Sequence, residues 1–171
     1  APRLRTLCGL EEGIEQIDWS KSGKGPIEVA LLAADLKAGR AGAAIDEVNV
    51  SMNPIGVDGA KALGAVLLEC SLKCLIIGPK GTRLPVNDAE VAELDFEGQD
   101  FTSTEVTLVA AATSTLATLH NLRMSSTGEL QSPYNLSTTR GTSTTSALTS
   151  QHLSEADAQL LSYWMSTKTM E

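Results

Sequence analysis

A nine-residue pattern of apolar positions recurs along this chain, and nothing else in the sequence limits its fold as tightly. The pattern is apolar, two variable, apolar, one variable, apolar, two variable, then a polar residue. It reads Ile14-Ile17-Trp19-Ser22, Ile45-Val48-Val50-Asn53 and Leu72-Leu75-Ile77-Lys80, and returns as Val91-Leu94-Phe96-Gln99 and Leu119-Leu122-Met124-Thr127. The first positions fall at 14, 45, 72, 91 and 119, a period of about 28 residues with one short interval. The second and third apolar residues of each unit are two apart, so on a strand they share one face while the variable residues point the other way.

Between the patterns the chain reads as helix. Ile27, Leu31 and Ala34 lie on one helical face, and Ala60, Leu63 and Leu67 repeat the spacing. The stretch 106–116 follows with an alanine-rich face that allows close packing. A strand followed by a returning helix cannot bury its own apolar face, so neighbouring units must stack. The third unit carries Gly78, Pro79, Gly81 and Pro85. It has no room for a helix and is expected to close through an extended loop.

The second unit, IDEVNVSMNPIGVDGAKALGAVL over residues 45–67, resembles a repeat of the ribonuclease-inhibitor type of leucine-rich-repeat protein. Asn53 stands at the turn asparagine of that repeat, Ile55-Gly56 at the step into the helix, and Gly59-Ala60 with Leu63 at the helix start. The resemblance implies an α/β fold, a short leucine-rich-repeat solenoid of about five strand–helix units with parallel strands on a concave face. It implies a structural role for Asn53, whose side chain would satisfy backbone groups inside the turn. The other units carry Ser22, Lys80, Gln99 and Thr127 at that position, so no continuous asparagine ladder is expected. Extracellular members usually carry cysteine-rich caps; these are missing, which implies an intracellular setting. A further branch of the superfamily activates a nuclear-transport GTPase, and regulation of a GTPase is kept as an alternative.

The expected organisation is a cap or lead-in segment at 1–13, the repeat array at 14–127, a Ser/Thr-rich linker at 128–152 and an amphipathic C-terminal helix at 153–171. In the helix, Ser154 is placed to cap and Leu160, Leu161 and Trp164 make an apolar face. A tryptophan on a tethered helix reads as an interface anchor. Such a helix either covers the end of the array or docks on a neighbour, and docking is the reading preferred.

Function is read from the variable strand positions. One row across the strands is Gln16, Glu47, Cys74, Glu93 and Asn121, and the next is Asp18, Asn49, Ile76, Asp95 and Arg123. A third contains Glu97 and Ser125. Asp18, Glu47, Glu93, Asp95 and Glu97 stand there against Arg123, and with Asn49 they form the candidate partner-binding face. The formal net charge of −8 opposes nucleic-acid binding, which rests on cationic side chains at phosphates. It suits another protein with a basic surface. The expected function is therefore a non-catalytic protein-binding module, a scaffold or accessory subunit of a larger assembly, with no nucleic acid and no membrane insertion. A small enzyme on an irregular α/β fold is the competing class.

No metal, cofactor or catalytic residue is expected. Cys70 and Cys74 with His120 and His152 lack the close ligand pairs of a zinc site, so the cysteines read as free thiols. The alternation of Glu93, Asp95 and Glu97 is explained by strand period rather than by acid–base chemistry. No nucleophile elbow, phosphate loop or zinc-protease helix is present.

Overall fold

Strands form where the apolar triplets fall, but they do not join into one ladder. The computed structural model describes residues 6–11, 13–40, 45–127, 133–139, 142–146 and 153–168. The elements run β1 (Gln16–Asp18), α1 (Pro26–Ala38), β2 (Glu47–Asn49), α2 (Gly56–Gly64), β3 (Cys74–Ile77), β4 (Thr82–Pro85), β5 (Glu93–Phe96), α3 (Ser103–Thr113), β6 (Asn121–Ser125), β7 (Pro133–Thr139), β8 (Thr142–Ser146) and α4 (Glu155–Lys168). A single 3-10 turn, Leu67–Glu69, follows α2.

Two mixed four-stranded sheets result, ordered β1-β2-β3-β4 and β5-β6-β7-β8. In the first, β1, β2 and β3 are parallel and β4 returns antiparallel; in the second, β5 and β6 are parallel and β7 and β8 antiparallel. This corrects the expectation of a leucine-rich-repeat solenoid with an uninterrupted parallel face. The cause lies in the third unit. Gly78 and Gly81 both take positive φ (74° and 65°), which glycine adopts without the Cβ penalty. They turn the chain back as a hairpin in which Ile77 faces Thr82. The expected extended loop is thus a strand, and it ends the parallel ladder.

The segment expected to be a linker repeats this device. Tyr134 and Leu136 alternate into the core, 3% and 0% exposed, and β7 pairs with β6 from Asn121↔Ser137 to Ser125↔Pro133. Residues 128–132, 140–141 and 147–152 of that expected linker, including His152, lie outside the described residues, as do residues 1–5 and 12 of the lead-in and 169–171 of the expected helix.

The helices have local reasons to start and stop. Pro26 opens α1, where its missing N–H costs nothing, and Gly39 closes it in the left-handed conformation with φ 59°. Thr102 caps α3: its hydroxyl accepts from the Thr104 backbone N–H, and the Glu105 carboxylate accepts from the Thr102 N–H at 2.8 Å. Each helix packs on the next, α1 on α2, α2 on α3 and α3 on α4. The α2–α3 approach depends on Gly64, since a Cβ there would stand 2.7 Å from that of Ala111.

The core lies between the helices and the inward strand faces. Ile17, Val48, Leu75 and Leu84 share one register row, Leu94, Leu122 and Leu136 another; of these only Leu94 is more than marginally exposed. With the side chains of α1–α4 they form one continuous apolar cluster that includes Phe96, Phe101 and Trp164. Burial of this surface is the main favourable term in folding.

Candidate functional site: the outward strand face

Strand alternation sends the remaining side chains away from the helices. Across the first sheet the outward rows are Gln16, Glu47, Cys74 and Pro85, then Asp18, Asn49, Ile76 and Arg83. Across the second they are Glu93, Asn121 and Ser137, then Asp95, Arg123 and Asn135. The candidate binding residues therefore do lie on outward strand positions, but on two sheets. Asp18, Glu47 and Asn49 sit on the first, and Glu93, Asp95 and Arg123 on the second. Glu97 follows the end of β5.

The acidic groups are partly matched. Arg83 donates to the Glu47 carboxylate at 2.6 Å. Arg123 lies 3.7 Å from Asp95 and in direct contact with Glu97, and the His120 ring stands 3.8 Å from Glu93. Asp18 has no cation against it among the described residues. Its carboxylate accepts from the Ser20 backbone N–H at 2.9 Å, and hydrogen bonds from Ser20 hold it below the usual aspartate range. The exposed ion pairs contribute little to stability in water. On the second sheet they leave Asp95 and Glu97 against one arginine, Arg123, and Glu93 beside the His120 ring.

Arg83 and His120 were absent from the candidate set. Arg83 was hidden because the glycine and proline residues around it conceal a strand. In the sequence His120 stands out only as a potential metal ligand, and no cluster of His, Cys, Asp or Glu able to hold a metal occurs among the described residues.

The tail residues stand elsewhere. Leu160 and Trp164 are 0% exposed, and α4 packs on α3 with further contacts to β7 and β8. Trp164 is thus a core residue of this chain and is not presented to a partner, which corrects the reading of a tethered docking helix; Leu161 is half-buried. A buried carboxylate holds α4 in place. Asp157 accepts from the Thr127 and Ser154 backbone N–H groups (both 2.9 Å), from both their hydroxyls, and from the Tyr134 hydroxyl at 3.1 Å. Burial and the adjacent Asp157 push the Tyr134 phenol well above its ordinary range. At the other end of the molecule buried Asp35 binds the Leu7 and Cys8 backbone N–H groups (2.7–2.9 Å) and Arg40 at 3.3 Å. Burial, then Asp35, pushes the Cys8 thiol up to about 12, leaving almost no thiolate at neutral pH.

Asn53 bridges two turns. Its amide donates to the carbonyls of Trp19, Val50 and Ser51 (2.7–3.1 Å), and its oxygen accepts from the Ser22 and Lys24 backbone N–H groups. One side chain thereby ties the turn after β2 to the turn after β1. Asn53→Ala should cost about 2–3 kcal/mol, read as a lowered urea midpoint with unchanged slope; a loss under about 0.5 kcal/mol would contradict this role. Asn87 does similar work unforeseen, its amide donating to the carbonyls of Leu67, Cys70 and Leu72 (2.9–3.2 Å).

Asn53 also borders a cleft of about 420 Å³ with Met52, Pro54, Gly78, Pro79 and the first turn of α3. Its one carboxylate, Glu105, is already engaged with Thr102, so the walls offer shape more than chemistry. No helix among the described residues is long and apolar enough to cross a membrane. No family model, curated protein or solved structure matches the chain.

Proposed function

We propose that the chain is a protein-binding module that engages a basic surface through its outward strand face, centred on β5 and β6. The observation that carries this reading is the division of labour between the two faces. The helices cover one side of the strands, while the other side presents Asp95 and Glu97 against Arg123 and Glu93 beside His120. The net charge of −8 favours encounter with a cationic partner and disfavours nucleic acid. The carboxylates stand on an exposed strand face rather than in a cleft, an arrangement suited to recognition more than to proton transfer. Within this reading the module serves a larger assembly as an accessory subunit.

The test compares three forms of the full chain in affinity capture from the source cells, with quantitative mass spectrometry. The strand-face variant carries Glu93→Lys and Asp95→Lys, and the control carries Glu69→Lys on the helix side. The captured partners should fall at least tenfold with the strand-face variant and persist with the control. Equal capture by all three forms contradicts the reading.

A further inference from the structure

The first sheet ends at β1, which pairs only with β2. Backbone parity shows what that edge offers. The Glu15 carbonyl accepts from the Glu47 N–H at 3.2 Å, and the Trp19 N–H donates to the Asn49 carbonyl at 2.9 Å. Glu15, Ile17 and Trp19 therefore turn their peptide groups towards β2, and Gln16 and Asp18 turn theirs away. Among the described residues no backbone group bonds to that outer side, and Gln16 and Asp18 are both exposed.

The apolar side chains of the first unit are incompletely covered at the same end. Ile14 and Trp19 pack on the core but stay half-buried, as does Leu10, and Leu7 is 39% exposed. In the next two units the matching positions are closed. Ile45 and Leu72 correspond to Ile14, Val50 and Ile77 to Trp19, and all four are between 0% and 5% exposed. A stacked unit needs a neighbour on each side to bury its apolar surface. The first unit has such a neighbour on one side only.

We infer that a second copy of this chain supplies the missing neighbour, β1 pairing antiparallel with its counterpart about a two-fold axis beside Ile17 and joining two four-stranded sheets into one. In that register Gln16 stands opposite the second copy's Asp18 and Asp18 opposite the second copy's Gln16, each pair exchanging two main-chain hydrogen bonds. The side chains match as well. Asp18 has no cation against it among the described residues, and the Gln16 amide supplies a neutral donor across the strands. No carboxylate faces another directly, so the Gln-x-Asp edge is self-complementary. The contact is isologous and closes on itself, which leaves no β1 edge to recruit further chains. The acidic β5–β6 face belongs to the other sheet, so the inference does not depend on the binding reading above.

Sedimentation equilibrium of the full chain over a dilution series should show a monomer–dimer equilibrium. Gln16→Glu sets carboxylates opposite one another and should raise the dissociation constant at least tenfold. Lys61→Gln, an equal change of net charge on α2, should leave it unaltered. Asp18→Pro removes an N–H that faces away from the ladder, a position where a strand tolerates proline. It should abolish the dimer while circular dichroism and the urea midpoint stay near those of the parent. A chain that is monomeric throughout overturns the inference, and so does a dimer indifferent to Gln16→Glu. A monomer whose Gln16 and Asp18 amides are protected by an added lysine–valine peptide gives the edge to a foreign strand, and overturns it too.

Discussion

Replacing Trp164 by alanine is expected to destabilise the chain by about 3–5 kcal/mol, a fall in Tm of roughly 6–20 °C for a domain of this size. The indole is fully buried on α4, which packs against α3, β7 and β8, so truncation opens a large cavity where the last helix meets the core. Trp164→Phe should be far milder, under about 1.5 kcal/mol. The indole Nε1 has no acceptor among the described residues, and removing an unsatisfied buried donor returns part of a desolvation cost of about 1–3 kcal/mol. Thermal and urea unfolding of both variants reads the difference. An alanine variant as stable as the parent would mean that Trp164 is not a core residue and would restore the idea of a free docking helix.

The second large effect belongs to Asp157. Its carboxylate collects donors from Thr127, Ser154 and Tyr134, joining the end of β6, the hairpin strand β7 and the cap of α4. Asp157→Ala leaves two backbone N–H groups without their acceptor and the buried Tyr134 phenol with only the weak Met124 sulfur at 3.9 Å, and a loss of about 3–5 kcal/mol is expected. Asp157→Asn should recover little, since the amide presents its own donors to some of those N–H groups. Circular dichroism and thermal melting of the two variants check this. Near-parent stability of Asp157→Asn would show that shape, rather than the acceptor set, matters at this position.

Much of the core was legible because strand alternation is a property of neighbouring residues. Val48 with Val50, and Leu122 with Met124, point inwards as their two-residue spacing requires. The fate of the chain after each strand was not legible in this way. A leucine-rich pattern specifies which face of β3 is buried, but Gly78 and Gly81 decide by backbone conformation alone that a hairpin follows. The Ser/Thr content of the stretch after β6 concealed the alternation of Tyr134 and Leu136, two buried residues among polar ones. Trp164 illustrates a third limit. Its amphipathic spacing announces a buried face, yet spacing cannot say whether the covering surface belongs to the same chain. The same holds for the candidate face, where outward positions follow from period but Arg83 and His120 reach it only through pairings distant in sequence.

Residue-resolved amide hydrogen exchange of the free chain tests the account most directly, because the fold and the open strand face both depend on two sheets that do not join. The Leu94 and Phe96 amides should be protected by pairing with β6, while those of Arg83, Glu93 and Asp95 exchange fast, an alternation along one short strand. Uniform protection through β4 and β5 would mean a single continuous sheet, and it would contradict both the division of the fold and the site proposed within it.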